Sequence, residues 1–114
     1  MTLHSPLTDR LVLDVTLRAL VSGVATALEC QVEDVWAHHV RMDEVRQGEE
    51  DVAAAGFCPV VIIRGRARSE HAIGHALAAA AAGVSQAIGV PLEDVWVQWV
   101  DVVPGRAFAG GEIV

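Results

Sequence analysis

Tyrosine is absent from this sequence of 114 residues, and cysteine, phenylalanine and positive charge are all scarce. Without tyrosine, a core must be built from Val, Ile, Leu and Ala. The 53% hydrophobic content supplies such a core and is too high for a disordered chain. The two cysteines, Cys30 and Cys58, show no metal-type spacing. We therefore predict a protein of the reducing cytoplasm.

The charge balance limits the partners. Eight basic residues stand against fifteen acidic ones, giving a net charge of −7, which argues against nucleic acid or an anionic membrane surface as a partner. The opening segment MTLHSPL lacks the charged and apolar parts of a signal peptide. The longest run of small apolar residues, 76–84, is far shorter than the roughly 20 residues that span a bilayer. The length predicts a single domain, 1–114.

The chain contains an internal repeat with a displacement of 60 residues. The string Glu-Asp-Val-Trp occurs at 33–36 and again at 93–96. Aligned without gaps, 19–46 and 79–106 share ten identities: Ala19/Ala79, Gly23/Gly83, Val24/Val84, Ala27/Ala87, Glu33/Glu93, Asp34/Asp94, Val35/Val95, Trp36/Trp96, Val40/Val100 and Arg46/Arg106. We interpret this as a duplicated unit, with repeats at about 1–50 and 56–114.

Each repeat is predicted to run strand, helix, strand. The first strand, TLHS, is short, and its counterpart PVVIIRG at 59–65 is a buried strand. Apolar residues at helical spacing predict a helix that starts near Thr8 or Asp9 and ends before Cys30. The matching helix spans about 70–88, capped by Ser69. The strings DVWAHHVRM and DVWVQWVDV follow as the second strands.

Two strands joined through a helix of this length form a right-handed parallel unit. The predicted fold class is therefore α+β. Tandem βαβ units (β-α-β-β-α-β) form a four-stranded sheet with two helices on one face, and a C-terminal β-hairpin follows. The segment 41–57 is interpreted as a charged connector that replaces this hairpin in the first repeat. The other face of the sheet needs a cover, and other subunits are expected to provide it.

The second half resembles the tautomerase superfamily, the 4-oxalocrotonate tautomerase-like proteins. The resemblance rests on residues spread along this half: Pro59, Gly65-Arg66, Pro91-Leu92, Val95, Val97, Pro104-Gly105 and Gly110-Gly111-Glu112. It implies a fused double unit that assembles as a homotrimer, a pseudo-hexamer, and uses no cofactor. It also implies keto–enol tautomerisation, a proton shift on a small carboxylated oxo or enol acid. Decarboxylation and hydration also occur in the superfamily.

The catalytic base that the resemblance implies, an amino-terminal proline, is missing. Residue 2 is Thr, and the nitrogen of Pro59 is an amide without basicity. If Met1 is removed, Thr2 carries a free α-amine with a pKa near 8 that could serve instead. The candidate catalytic group is therefore the Thr2 amine.

The resemblance also implies the substrate-binding groups. Arg66 matches the arginine that follows the first strand, whereas the place of a second arginine is taken by Trp96. Arg106, beside the hairpin, could replace that second charge. Trp96 and Phe108 are expected to form an aromatic wall of the site, contributed by a neighbouring subunit. Arg46 and Arg68 are expected to be ordinary solvated side chains.

Three alternatives remain open at this level. The chain could be a non-catalytic structural or binding member, or the inert subunit of a mixed oligomer, as the missing proline suggests. The order β-α-β-β-α-β also occurs in ferredoxin-like binding domains. His71 and His75 have the i, i+4 spacing of a metal site, but HAIGH offers no third ligand, so we predict no metal.

Overall fold

The computed structural model describes residues 1–48, 50–51 and 58–114, and for residues 47, 50 and 51 it describes the backbone only. The elements, in chain order, are β1 (Thr2–Ser5), α1 (Arg10–Leu28), β2 (His38–Arg41), β3 (Arg46–Gln47), β4 (Glu50–Asp51), β5 (Val60–Gly65), α2 (Glu70–Ile88), β6 (Trp96–Asp101), β7 (Phe108–Ala109) and β8 (Glu112–Ile113).

Both helices begin and end where the sequence predicts. The Asp9 carboxylate accepts hydrogen bonds from two backbone N–H groups of the first turn of α1, and the Ser69 hydroxyl caps α2 in the same way. Such caps satisfy N–H groups that have no partner within the helix. Each helix ends at a residue in the left-handed conformation, Glu29 with φ 56° and Gly89 with φ 79°.

The difference between these two C-terminal residues predicts a stabilising substitution. A side chain in the left-handed region costs free energy that glycine avoids, so Glu29→Gly is expected to raise the free energy of unfolding by about 1 kcal/mol. The matched change, Gly89→Ala, should lower it by a similar amount. Urea unfolding followed by circular dichroism measures both. Equal stability of wild type and Glu29→Gly would show that the left-handed residue carries no strain.

The four long strands form one mixed sheet in the order β2-β1-β5-β6. The outer pairs are parallel, as expected for βαβ units, and β1 runs antiparallel to β5 at the centre. In this central pair Thr2 lies opposite Ile62, its counterpart at a displacement of 60 residues. An internal twofold axis through the sheet therefore relates the two repeats, which confirms the predicted tandem fold.

The two helices cover one face of the sheet and form the core with it. The buried apolar side chains come from both repeats and both layers: Leu3, Leu20, Val24, Val61, Ile63, Ala76, Ala80 and Val84. The helices approach closely at two glycines related by the internal symmetry. A Cβ atom added to Gly23 would lie 3.5 Å from the Ala79 carbonyl oxygen, and one added to Gly83 would lie 3.5 Å from that of Ala19.

The opposite face of the sheet carries large apolar side chains. Trp36 is 81% exposed and Trp96 is 60% exposed, and Val40 and Val100 are also exposed on this side. Alternation along β6 puts Trp96 and Val100 opposite Val97 and Trp99, which pack against the core. Trp36 lies just before β2, at the position that corresponds to Trp96 in the internal repeat. We call this surface, Trp36, Val40, Trp96 and Val100, the open face.

By length and composition alone, α1 could cross a membrane. The core helix of a folded domain passes the same test. Here Thr16, Leu20 and Val24 of α1 are fully buried or nearly so, so the helix belongs to the core.

Two details of the sequence interpretation are wrong. The predicted second strands begin too early, because Val32–Asp34 and Leu92–Asp94 form single 3-10 turns. The repeated Glu-Asp-Val-Trp thus begins in a turn rather than in a strand. The first repeat also has its own hairpin, since β3 pairs antiparallel with β4. The sequence feature that could have predicted this hairpin is Gly48. Its φ of 61° matches the 62° of Gly110 in the second hairpin. The remainder of the predicted connector, at 49 and 52–57, lies outside the described residues.

Candidate functional site

A cavity of about 470 Å³ lies at the end of the sheet where the amino terminus meets the carboxyl end of β5. We call it the N-terminal pocket. Its walls come from the amino-terminal residue before β1, the end of α1, the segment that follows α1, the end of β5 with its following loop, and β6. They consist of Met1, Val24, Leu28, Cys30, Asp34, Val35, Trp36, Ile63, Arg64, Gly65, Arg66, Arg68 and Trp99.

The chain's α-amine belongs to this pocket. It is carried by Met1, which is half-buried, and it donates a hydrogen bond to the Trp36 carbonyl oxygen. Burial lowers the pKa of the Met1 α-amine, and the Arg64 guanidinium lowers this pKa further. Both effects favour the neutral form, the form in which an amine can accept a proton.

Thr2, the predicted bearer of the catalytic amine, lies one residue deeper and is only 4% exposed. Its hydroxyl oxygen accepts a hydrogen bond from Arg64 Nη1 at 3.3 Å and lies 3.3 Å from His38 Nε2. The side chain of Thr2 thereby holds the Arg64 guanidinium beside the amino terminus. In the chain that starts at Met1, the nitrogen of Thr2 is an amide. It becomes an amine if Met1 is removed.

Three arginines, at every second position of the chain from 64 to 68, line the pocket. Arg64 is the last residue but one of β5, Arg66 follows in the loop before α2, and Arg68 donates a hydrogen bond to the Leu28 carbonyl at 3.4 Å. Arg68, expected to be merely solvated, is exposed but also joins the pocket wall to the end of α1. Asp34 is the acidic residue in the wall. On a chain with a net charge of −7, this cluster focuses positive potential on the pocket.

The apolar side of the pocket includes the indole of Trp99. Its Nε1 donates a hydrogen bond to Asp101 Oδ1 at 2.9 Å. A Cβ atom added to Gly65 would lie 2.6 Å from Trp99 Cζ2, so the ring rests directly on the glycine backbone. Gly65 is thus the residue that leaves room for the indole.

The other predicted site residues do not line the pocket of a single chain. Trp96 lies on the open face, Phe108 is 69% exposed on the C-terminal hairpin, and Arg106 is exposed beside it. Their assignment to a neighbouring subunit concerns an assembly and stays a prediction.

The histidine pair at the start of α2 is exposed, with ring centroids 4.3 Å apart. Among residues 1–48, 50–51 and 58–114, no three His, Cys, Asp or Glu side chains form a group that could hold a metal ion.

Comparison with solved structures identifies the architecture. A native fused 4-OT superimposes with a TM-score of 0.87 at 17% identity, covering 99% of this chain and 95% of the other. This chain has the fused 4-OT fold. A fused 4-OT that forms an asymmetric trimer gives a TM-score of 0.88 at 15% identity, with 98% and 93% of the chains covered. A protein inactivated by 2-oxo-3-pentynoate gives 0.82 at 14%, with 98% and 92% covered. No family model and no curated protein matches the sequence.

The fused 4-OT fold confirms the resemblance to the tautomerase superfamily as far as architecture is concerned. Of the predicted site residues, Arg66 lines the N-terminal pocket, and the α-amine in that pocket is that of Met1 rather than that of Thr2. Arg64 and Trp99 were missed by sequence reasoning. The signal for Arg64 was the arginine at every second position of the string Arg-Gly-Arg-Ala-Arg, 64–68. Trp99 lies in the pocket because β5 and β6 pair with Ile63 opposite Trp99 and Gly65 opposite Asp101. This register could not be inferred from the sequence.

Proposed function

We propose that the N-terminal pocket binds a small 2-oxo or 2-hydroxy-enoic acid and catalyses its keto–enol tautomerisation. The observation that carries this proposal is the placement of the chain's α-amine, with its lowered pKa, in a cavity shared with Arg64 and Arg66. A base that is available in its neutral form and a cationic anchor for a carboxylate are the two groups that such a proton shift requires.

The reaction needs only one proton carrier. The neutral amine takes the proton of the enol hydroxyl, and the C–O bond becomes a carbonyl. The electron pair of the C=C bond moves to the carbon adjacent to the new carbonyl carbon. The resulting ammonium then returns a proton to that carbon. One O–H bond is broken and one C–H bond is formed, and the amine is neutral again at the end.

The arginines would hold the substrate's carboxylate. Guanidinium groups bind carboxylates through two parallel hydrogen bonds, which fix both position and orientation. Arg64, Arg66 and Arg68 are all exposed at the pocket, and the hydrogen bond to Thr2 directs Arg64 toward the amine. In this arrangement Arg66 anchors the carboxylate, and Arg64 polarises the hydroxyl oxygen that becomes the carbonyl oxygen.

Ketonisation of phenylenolpyruvate and of 2-hydroxymuconate, followed by absorbance, tests the function. We expect the wild type to accelerate at least one of these reactions above the rate in buffer. The folded, oligomeric protein must be confirmed in the same samples by light scattering. A folded protein without acceleration of either reaction would contradict the enzymatic proposal for these substrates.

The amine can be tested separately, since the sequence contains no lysine and its only aliphatic amine is therefore the amino terminus. We expect 2-oxo-3-pentynoate to modify this amine, at Met1 or, after processing, at Thr2. Because burial favours the neutral amine, the modification rate should rise through a pKa below 8, the usual value for an α-amine. Peptide mass spectrometry at a series of pH values measures both.

Cys30 in the pocket wall is the competing nucleophile. The labelling is therefore repeated on a Cys30→Ser, Cys58→Ser variant, in which amine modification should persist. An adduct confined to cysteine, or a rate that rises only above pH 8, would contradict the role given to the amine.

The assembly that we expect is a homotrimer in the cytoplasm. The exposed tryptophans of the open face support association, and the fused 4-OT proteins of the same fold form trimers. In such a trimer Trp96, Phe108 and Arg106 of a neighbouring chain could complete the pocket, as the sequence predicts. Light scattering at several concentrations gives the mass, and a monomer would argue against this assembly.

A specific observation favours a second candidate, carboxylate binding without catalysis. The amine already donates a hydrogen bond to the Trp36 carbonyl, and residue 2 is not proline. In this case the protein would be a binding member of the superfamily or the inert subunit of a mixed oligomer. Calorimetry that shows binding of phenylpyruvate, together with no ketonisation, would select this candidate.

A further inference from the structure

Trp99 is held from two directions at the apolar side of the N-terminal pocket. The pyrrole edge is fixed by the hydrogen bond of 2.9 Å from Nε1 to Asp101, which lies two residues along the same strand. The benzene edge lies on Gly65, where an added Cβ would come within 2.6 Å of Cζ2 and 2.7 Å of Cη2. An indole held at both edges is a preorganised surface rather than a mobile side chain.

The same position in the first repeat has a different chemistry. At a displacement of 60 residues, Trp99 corresponds to His39 and Gly65 to Ser5. His39 Nε2 lies 3.1 Å from the Ser5 carbonyl oxygen and 2.8 Å from its hydroxyl. A carbonyl oxygen only accepts, so Nε2 is a donor, and the pair is a structural contact. In both repeats the side chain at this position contacts the neighbouring strand, His39 at Ser5 and Trp99 at Gly65. Only the second repeat has an indole at this position.

The placement of Trp99 opposite charged groups makes the pocket amphipathic. Arg64, Arg66 and Arg68 line it together with an apolar set that comprises Val24, Leu28, Val35, Ile63 and Trp99. A carboxylate bound by the arginines would therefore direct the rest of its molecule toward apolar surface. Because aromatic rings interact favourably beyond the area that they bury, a planar tail gains more from the indole than a methyl group does.

We infer that Trp99, positioned by Gly65 and Asp101, selects acids with an aromatic or extended planar tail over short acids such as pyruvate. This inference rests on the proposed function for the position of the carboxylate and specifies the substrate class of that site. Trp99 contacts the tail and not the reacting atoms, so it determines specificity and takes no part in the proton transfer.

Binding of the two acids by isothermal titration calorimetry tests the inference without any need for turnover. Wild type should bind phenylpyruvate more tightly than pyruvate. In Trp99→Ala this preference should fall by about three- to tenfold, with the affinity for pyruvate unchanged. Trp99→Phe, which keeps a ring, should retain most of it. Gly65→Ala displaces the indole without removing it and should also weaken the preference. Leu11→Ala, an exposed change on α1 outside the pocket, is the control.

Each outcome has one meaning. If neither acid binds to the folded wild type, the carboxylate site of the proposed function is wrong, and this inference fails with it. If both acids bind and their ratio is the same in wild type, Trp99→Ala and Gly65→Ala, the inference alone is overturned. An equal loss of affinity for both acids in Trp99→Ala also overturns it, because the indole would then support the pocket rather than recognise the tail.

Discussion

Replacing Arg66 by alanine is expected to lower kcat/KM for the ketonisation of phenylenolpyruvate by roughly 10- to 100-fold, the effect of losing a hydrogen bond to a charged group. The side chain is exposed in the pocket wall, and in the proposed mechanism it binds the carboxylate equally in the ground state and the transition state. The loss should therefore appear mainly in KM, and the pH dependence of the reaction should not move.

Arg64→Ala is expected to behave differently at the same site. The Arg64 guanidinium lowers the pKa of the Met1 α-amine, so its removal should raise that pKa and shift the rising limb of the pH–rate profile to higher pH. At neutral pH less of the amine would be neutral, and kcat should fall together with kcat/KM. Arg64→Lys, which keeps a positive charge, should shift the profile less.

The control for both variants is Arg18→Ala. Arg18 is an exposed arginine on α1 that pairs with Asp14 at 3.0 Å and takes no part in the pocket. Its kinetics should equal those of the wild type. Identical pH profiles for Arg64→Ala and wild type would contradict the electrostatic role of Arg64, even if Arg66→Ala behaves as expected.

The ends of the helices could be predicted to within a residue or two because local chemistry determines them. Ser69 and Asp9 satisfy the free N–H groups of the first turn, and Gly89 takes the left-handed conformation at the end. None of these effects depends on distant parts of the chain. The strand starts were less accurate, because a backbone hydrogen bond from Val35 to Val32 closes a turn where the composition suggests a strand.

The candidate site could be predicted only where a local motif marks it. Arg66 belongs to such a motif, and the amino terminus is marked by its position in the chain. Trp99 and Arg64 depend on strand pairing between β5 and β6 and on a hydrogen bond between Arg64 and Thr2, 62 residues apart. Hydrophobic alternation excludes a shift of one residue between two strands, which would turn every side chain to the other face, but a shift of two residues leaves the same faces buried.

The largest effect on stability is expected from Gly83→Leu. An added Cβ at this position lies 3.5 Å from the carbonyl oxygen and 3.6 Å from the Cβ of Ala19, so a methyl group fits, but a larger side chain meets the backbone of α1. The helices would have to separate, at a cost of about 3 kcal/mol. For a domain of this size the melting temperature should fall by roughly 10 °C or more.

Gly83→Ala and Gly74→Leu separate packing from helix propensity. Gly74 lies on the same helix, and its added Cβ would have no heavy atom within 4 Å. Both changes replace a helical glycine without a clash, so each should leave stability unchanged or raise it by up to about 1 kcal/mol. A loss in Gly74→Leu as large as that in Gly83→Leu would show that the close approach of the helices is not the cause.

The same comparison links the helix contact to the pocket. Val24 and Leu28, which line the N-terminal pocket, lie on α1, and α1 meets α2 at Gly83. Forcing the helices apart at Gly83 should therefore also displace the apolar wall that faces the arginines. We expect Gly83→Leu to weaken phenylpyruvate binding at temperatures where the protein is still folded, whereas Gly83→Ala and Gly74→Leu should bind as the wild type does. Unchanged affinity in folded Gly83→Leu would mean that the pocket keeps its shape independently of the helix spacing.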